Sequence, residues 1–194
     1  NSKRVIGYKT GDILLTRDVD VWVNNENTDM MMDRFFGRSV SATIRYNGAE
    51  KFEGTNRVKV DTIADALRAE MRGRTFVQPA TVLETTSGAL EQTHNVRRIF
   101  HVAAVEGNFG TDLNADLEML DRCIDNVLAA IDKASRSSIW KRTFWPYRSV
   151  LIPMLATGDG GFDVEEVAPR LVGRATHYLE NTPNSLLQEV YFVA

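Results

Sequence analysis

The chain has 194 residues, 43% hydrophobic and 25% charged, which suits one globular domain with a sizeable core and would be cramped for two. A formal net charge of −3, with Lys and Arg scattered apart from a small group at 140–142, argues against a nucleic-acid groove. A phosphate-bearing ligand would therefore be held by backbone groups and a few side chains.

The elements alternate along the chain. Short β-rich runs at 4–8 and 19–23 precede a helical stretch somewhere between residues 29 and 45. A second helix is predicted over Thr62–Met71, where Ile63, Ala66, Leu67 and Glu70 give a weakly amphipathic spacing. Strands follow at 75–77, 81–85 and 98–105, the last an apolar run of the kind buried on both faces of a sheet. The strongest helix spans about 113–135, with Leu113, Leu117, Leu120, Ile124, Leu128 and Ile131 on one stripe. A strand at 149–154, a glycine loop, a helix over 164–179 and a strand at 188–193 complete the order. Strand–helix–strand crossovers predict an α/β fold with a largely parallel sheet covered on both faces. No internal repeat or low-complexity linker interrupts it, and the five prolines are dispersed.

The single Cys123 excludes an internal disulfide and fits a reducing, cytoplasmic compartment. Lying beside the apolar stripe, it reads as a core residue rather than a nucleophile. The three histidines, His94, His101 and His177, form no HExxH pair and have no companion cysteines, so neither a transition metal nor another cofactor is expected. No apolar run approaches the ~20 residues needed to span a bilayer, so this segment is expected to be soluble and free of membrane contact. The sequence opens on Asn1-Ser2 without a methionine and reaches apolar residues within a few positions, which suggests that residues 1–194 are one domain cut from a longer protein; the alternative is a processed terminus.

The segment 149–162 is a buried strand emptying into a glycine-rich turn, Thr157-Gly158-Asp159-Gly160-Gly161-Phe162, after which a helix begins. Ligands of open α/β sheets bind outside the carboxyl ends of strands. Glycines let backbone N–H groups approach an anion there, and a helix N-terminus adds partial positive charge. The loop is neither a Walker A sequence nor a GxGxxG, and on spacing alone it fits a phosphate cradle and a plain turn equally. Asp163, followed by Val164-Glu165-Glu166, reads as a helix N-cap.

This loop resembles the second ligand loop of macro domains, the ADP-ribose-binding modules, where Ser/Thr-Gly-x-x-Gly-Phe/Tyr wraps the diphosphate. Other segments agree in order. Gly11-Asp12-Ile13 looks like the family's early Gly-Asp-Ile, which implies that Asp12 accepts a hydrogen bond from the adenine amino group and Ile13 lies by the base. Asn24-Asn25-Glu26-Asn27 looks like the end of the strand that carries Asn-Ala-Ala-Asn, which implies ligand contact at Asn24 and Asn27, with Asn27 facing the distal ribose. The strand with His101 is similar to a buried family strand, so His101 is expected to be a satisfied core residue. The resemblance covers essentially the whole chain and implies a three-layer α/β/α fold.

One wall departs from the family. Instead of a run of glycines, the chain continues from Thr28 into Asp29-Met30-Met31-Met32-Asp33-Arg34-Phe35-Phe36-Gly37, partly an insertion. The alignment puts Gly37, Ser39, Val40 and Ser41 near the phosphates. The apolar group of the insertion, three Met and two Phe, is expected to pack into the core rather than form a lid, and Asp29 and Asp33 to be solvated surface charges. A non-catalytic ADP-ribose-binding or sensing module follows, set in a larger effector, for example a membrane-tethered bacterial defence protein. The alternative is an ADP-ribosyl hydrolase with a variant site. The aromatic and basic segment 139–148 is expected to pack its aromatics on the core; otherwise it offers a contact surface for a homo-oligomer.

Overall fold

The computed structural model describes residues 3–106, 116–137, 139–157 and 161–194. Among these residues, eight strands and six α-helices run in the order β1 (Val5–Lys9), β2 (Val21–Asn27), α1 (Val40–Gly48), β3 (Glu50–Lys51), β4 (Val58–Val60), α2 (Thr62–Met71), β5 (Val82–Thr86), α3 (Leu90–His94), β6 (Arg98–Val105), α4 (Leu117–Ser135), α5 (Ile139–Phe144), β7 (Ser149–Pro153), α6 (Val164–Asn181) and β8 (Glu189–Val193). One six-stranded sheet has the order β1-β8-β7-β2-β6-β5, and β3 and β4 form a small separate pair. Neighbours in the large sheet are parallel except β5, which is antiparallel to β6. The largely parallel sheet covered on both faces that the alternation predicts is present, with one antiparallel edge strand, in the three-layer α/β/α arrangement that the resemblance implies.

Strand periodicity divides the core in two. On one face Val21, Val23, Phe100, Val102, Val150 and Ile152 pack against the stripe of α4 (Leu120, Ile124, Leu128, Ile131) and against Val167, Leu171 and Ala175 of α6. On the other, Trp22, Ile99, Ala103 and Leu151 meet Ile44 of α1, Ile63 and Leu67 of α2 and Leu90 of α3. Both faces are thus shielded, as parallel sheets require. Cys123 lies fully buried in the first cluster, and burial pushes its thiol up to about 12, so it is a packing residue and not a nucleophile.

Caps set the helix limits. Asp116 accepts from Met119 N at 2.5 Å, so α4 starts at Leu117, while residues 113–115 of the expected helix lie outside the described residues. Asp163 accepts from Glu165 N at 2.8 Å, the N-cap read from the sequence. Ser39 caps α1 by accepting from Ala42 N, so that helix starts at Val40, inside the expected stretch 29–45, and it ends at Gly48, three residues beyond it. Residues 75–77 are not a strand: Val77 N donates to Thr28 O at 2.8 Å, docking the segment on the loop after β2 ahead of Pro79.

The segment 139–148 corrects another expectation. Tyr147 alone among its aromatics is buried, set edge-on to Phe100 with centroids 6.4 Å apart. Trp140 and Trp145 are each 71% exposed. Trp140 and Phe144, one turn apart on the short α5, stack on each other at 5.2 Å instead of on the core.

The end of α1 is fastened by a close backbone approach. Gly88, at φ +55°, sits where a Cβ would collide with the carbonyl oxygen of Gly48, which accepts from Ala89 N at 3.0 Å. Gly54, at φ +68°, has open space around it. In urea unfolding, Gly54→Ala should cost about 1 kcal/mol from left-handed backbone alone, whereas Gly88→Ala should cost about 2–4 kcal/mol because overpacking is added. Equal losses would rule out the close approach.

Candidate functional site

The alternation that buries Trp22 on the α1 face of β2 carries Asn24 and Glu26 to that same face. Asn24 is fully buried and Glu26 is 4% exposed. Two buried polar groups at a strand end need partners from the protein, and they find them on three elements. Asn24 Nδ2 donates to Glu26 Oε1 at 2.5 Å and lies 3.1 Å from His101 Nδ1 of β6. His101 Nε2 lies 2.9 Å from Thr85 Oγ1 of β5. Ser41 Oγ, in the first turn of α1, donates to Glu26 Oε1 at 2.7 Å.

Burial raises Glu26 from the ordinary carboxylate range to about 7, against the bonds from Ser41 and Asn24, and the Asp29 and Asp33 carboxylates push it further the same way. Burial depresses His101 to about 3, so this ring is neutral at physiological pH. His101 is the satisfied core histidine that the sequence suggested.

The loop between β2 and α1 forms the outer wall. Asp33 N donates to Ser41 Oγ at 3.1 Å, and Ser39 Oγ donates to Asp33 Oδ2 at 2.6 Å. Arg45 pins the loop from below through Met32 O and Asp33 O while pairing with Asp61. Arg38 is exposed and has no hydrogen bond or ion pair among the described residues. Opposite, β6 and β7 end at Val105 and Pro153, and Thr157 Oγ1 donates to Met154 O at 3.0 Å in the turn that follows. Ala156 takes φ +58°, and Phe162 N donates to Ala156 O at 3.2 Å.

Between the walls lies a cleft of about 540 Å³, bordered by Asn25, Glu26 and Asn27 of β2, by Met31, Asp33 and Arg38 of the loop, by Ser39, Val40 and Ser41 at the head of α1, and by Val105, Pro153, Met154 and Thr157. It opens at the carboxyl ends of β2, β6 and β7, where open α/β sheets bind ligands.

The Macro domain family model matches residues 23–171. The chain belongs to the macro domain family. Solved structures agree in fold. A mutant macrodomain of Oceanobacillus iheyensis with ADPR superposes with a TM-score of 0.65 at 20% identity, covering 97% of this chain and 82% of that one. The macrodomain of Mycobacterium tuberculosis DarG gives 0.64 at 18% identity with 97% of both chains covered. A Trypanosoma brucei macrodomain in complex with ADP gives 0.63 at 18% identity, over 97% of this chain and 63% of that one. No curated protein sequence matches.

Within this macro domain, the cleft gathers Asn27, Ser39, Val40, Ser41 and Thr157 from the sequence-derived set. Asn24 stands behind the wall and acts on Glu26. Gly37 lies behind the Asp33 carboxylate, which a Cβ at that position would strike. Asp12 caps a 3-10 turn over Ile13–Leu15 by accepting from Leu14 N at 2.9 Å, and Ile13 is buried in the core; neither borders the cleft. Gly161, at φ +76°, and Phe162, half-buried against the core, are not among the residues that border it. Gly158, Asp159 and Gly160 lie outside the described residues.

Three expectations for the loop change. Asp33 is a half-buried, hydrogen-bonded cleft residue and not a solvated surface charge, and Asp29, also half-buried, accepts from Met31 N. Met30 and Met32 enter the core, but Met31 stays 72% exposed at the cleft and Phe36 is 91% exposed. The residue that sequence reasoning passed over is Glu26. Its signal was present, since the period of two from Trp22 aims a carboxylate inward, but the motif drew attention to the flanking asparagines.

Glu26 makes stability depend on pH. Its folded value of about 7 lies above the ordinary 4.5, so between these values the native state binds the extra proton and stability falls as pH rises. Glu26→Gln should remove this decline and raise stability at pH 8 by up to about 3 kcal/mol relative to the wild type, with the difference vanishing below pH 4.5. Urea titrations across that range check it; a constant difference would contradict the raised value.

Proposed function

We propose that this macro domain binds ADP-ribose or a nucleotide derived from it in the cleft between β2, α1 and the turn after β7, and that it serves as the ligand-sensing module of a larger effector. The observation that carries the reading is Arg38, a guanidinium without a partner among the described residues, on the cleft lining beside the first turn of α1. A helix N-terminus offers unpaired N–H groups and partial positive charge to an anion, and a guanidinium beside it can take phosphate oxygens bidentately. Pro153, Met154 and Thr157 border the opposite side. Macrodomains of this fold have been solved with ADPR, ADP and ADP-ribose, which agrees with a nucleoside diphosphate as the common part of the ligand.

A second reading, ADP-ribosyl hydrolase, is favoured by one feature, the carboxyl of Glu26 next to Asn27 on the cleft lining. Its raised proton affinity suits acid–base work near neutral pH. The two readings separate on turnover: a sensor holds ADP-ribose without releasing it from an adduct, and a hydrolase frees it from an ADP-ribosylated protein or ester.

Titration calorimetry with ADP-ribose should show saturable binding, and Arg38→Ala should weaken it about 10- to 100-fold, the worth of one hydrogen-bonded charge pair. Absence of heat at about 1 mM ligand, a concentration that reveals even very weak sites, would sink the binding claim.

A further inference from the structure

Glu26 is 96% removed from solvent yet borders the cleft, and the network behind it leaves its two oxygens unlike. Thr85 Oγ1 donates to Thr86 O at 3.0 Å, so it must accept from His101 Nε2–H. That tautomer leaves His101 Nδ1 as an acceptor for one hydrogen of Asn24 Nδ2, whose other hydrogen goes to Glu26 Oε1. A flipped amide would aim its oxygen at two acceptors, so the orientation of Asn24 is fixed. Oε1 is thereby doubly bonded to donors, by Asn24 and by Ser41. Oε2 has no hydrogen-bond partner among the described residues.

The charges around it are unequal. Asp33 and Asp29 on the loop bear on Glu26 as negative charges, His101 on β6 is neutral, Ser41 on α1 and Thr85 on β5 carry none, and no titratable group of β7 borders the cleft. Among the described residues, the one cation on the lining is Arg38. A diphosphate is therefore drawn to Arg38 and the head of α1 and repelled from Glu26.

Building on the ADP-ribose reading, we propose that Glu26 is the specificity-determining residue for the sugar beyond the diphosphate, accepting a hydrogen bond at Oε2. The ligand group seated there is a neutral or cationic donor, such as a ribose hydroxyl or a nitrogen base, and not a second anion. Because Oε1 is saturated by donors, any proton the carboxyl holds sits on Oε2, and only the ionised group offers Oε2 as a charged acceptor, whose hydrogen bond is the stronger. Affinity for ADP-ribose consequently rises with pH as Glu26 ionises.

The test is calorimetry with ADP, ADP-ribose and ADP-ribose 1″-phosphate from pH 6 to 8, on the wild type and on Glu26→Gln. The wild type should prefer ADP-ribose to its 1″-phosphate by about tenfold or more, the worth of a hydrogen bond to a charged group. Its affinity for ADP-ribose should climb about tenfold across that range. Glu26→Gln should lose both the preference and the pH slope, and the ratio of ADP-ribose to ADP affinity should fall. A tighter 1″-phosphate, a wild-type affinity that is flat or falls with pH, or a preference that survives in Glu26→Gln would overturn the proposal. The two wild-type measurements decide it even if the variant does not fold. Equal binding of all three nucleotides overturns this inference alone, whereas binding of none overturns the ADP-ribose reading with it.

Discussion

A carboxyl group at the end of a buried parallel strand must be solvated by the protein itself, because water is excluded on all sides but one. Glu26 meets that requirement with Asn24 from its own strand and Ser41 from α1, and Asn24 in turn leans on His101 and, through it, on Thr85. The chain of bonds crosses three adjacent strands and joins them to a helix. Losing one member would leave a buried polar group unpaired, which costs more than the bond itself contributes. The position of the head of α1 relative to the sheet, and so the width of the cleft, follows from this arrangement.

Ser41 has a second duty. While donating to Glu26 it accepts from Asp33 N, so the long loop after β2 is held by the same hydroxyl that holds the carboxyl. Arg45 secures that loop from the far side through two carbonyl oxygens. The loop has no run of glycines and gains its fixed course from side chains instead. Its methionines divide accordingly, with Met30 and Met32 anchoring in the core while Met31 remains at the cleft.

The cleft joins chemically distinct groups. Arg38 and the partial positive charge at the head of α1 favour an anion, and the Glu26 carboxyl, reinforced by Asp33 and Asp29, disfavours one. A ligand that is a diphosphate in one part and a sugar in another matches this division. A simple phosphate would use only part of it.

Much of the frame was legible in the residues. Continuous apolar runs marked β6 and β7, a 3.6-residue stripe marked α4, and Asp163 announced the start of α6. These are signals carried within a few neighbouring positions, and local propensity and burial period decide them. The macro-type resemblance likewise rested on short motifs, and the family assignment bears it out. The irregular course of 75–77 and the exposed Trp140 and Trp145 were set by contacts that no local pattern records. Glu26 is the clearest case. The sequence placed it inward by alternation alone, but its hydrogen bonds, its raised proton affinity and its place on the cleft depend on Ser41, 15 positions away, and on an asparagine whose orientation is fixed by a histidine 77 positions further on. Sequence determined which residues could be buried; only the register of the strands and the docking of α1 decided which buried group would face the ligand.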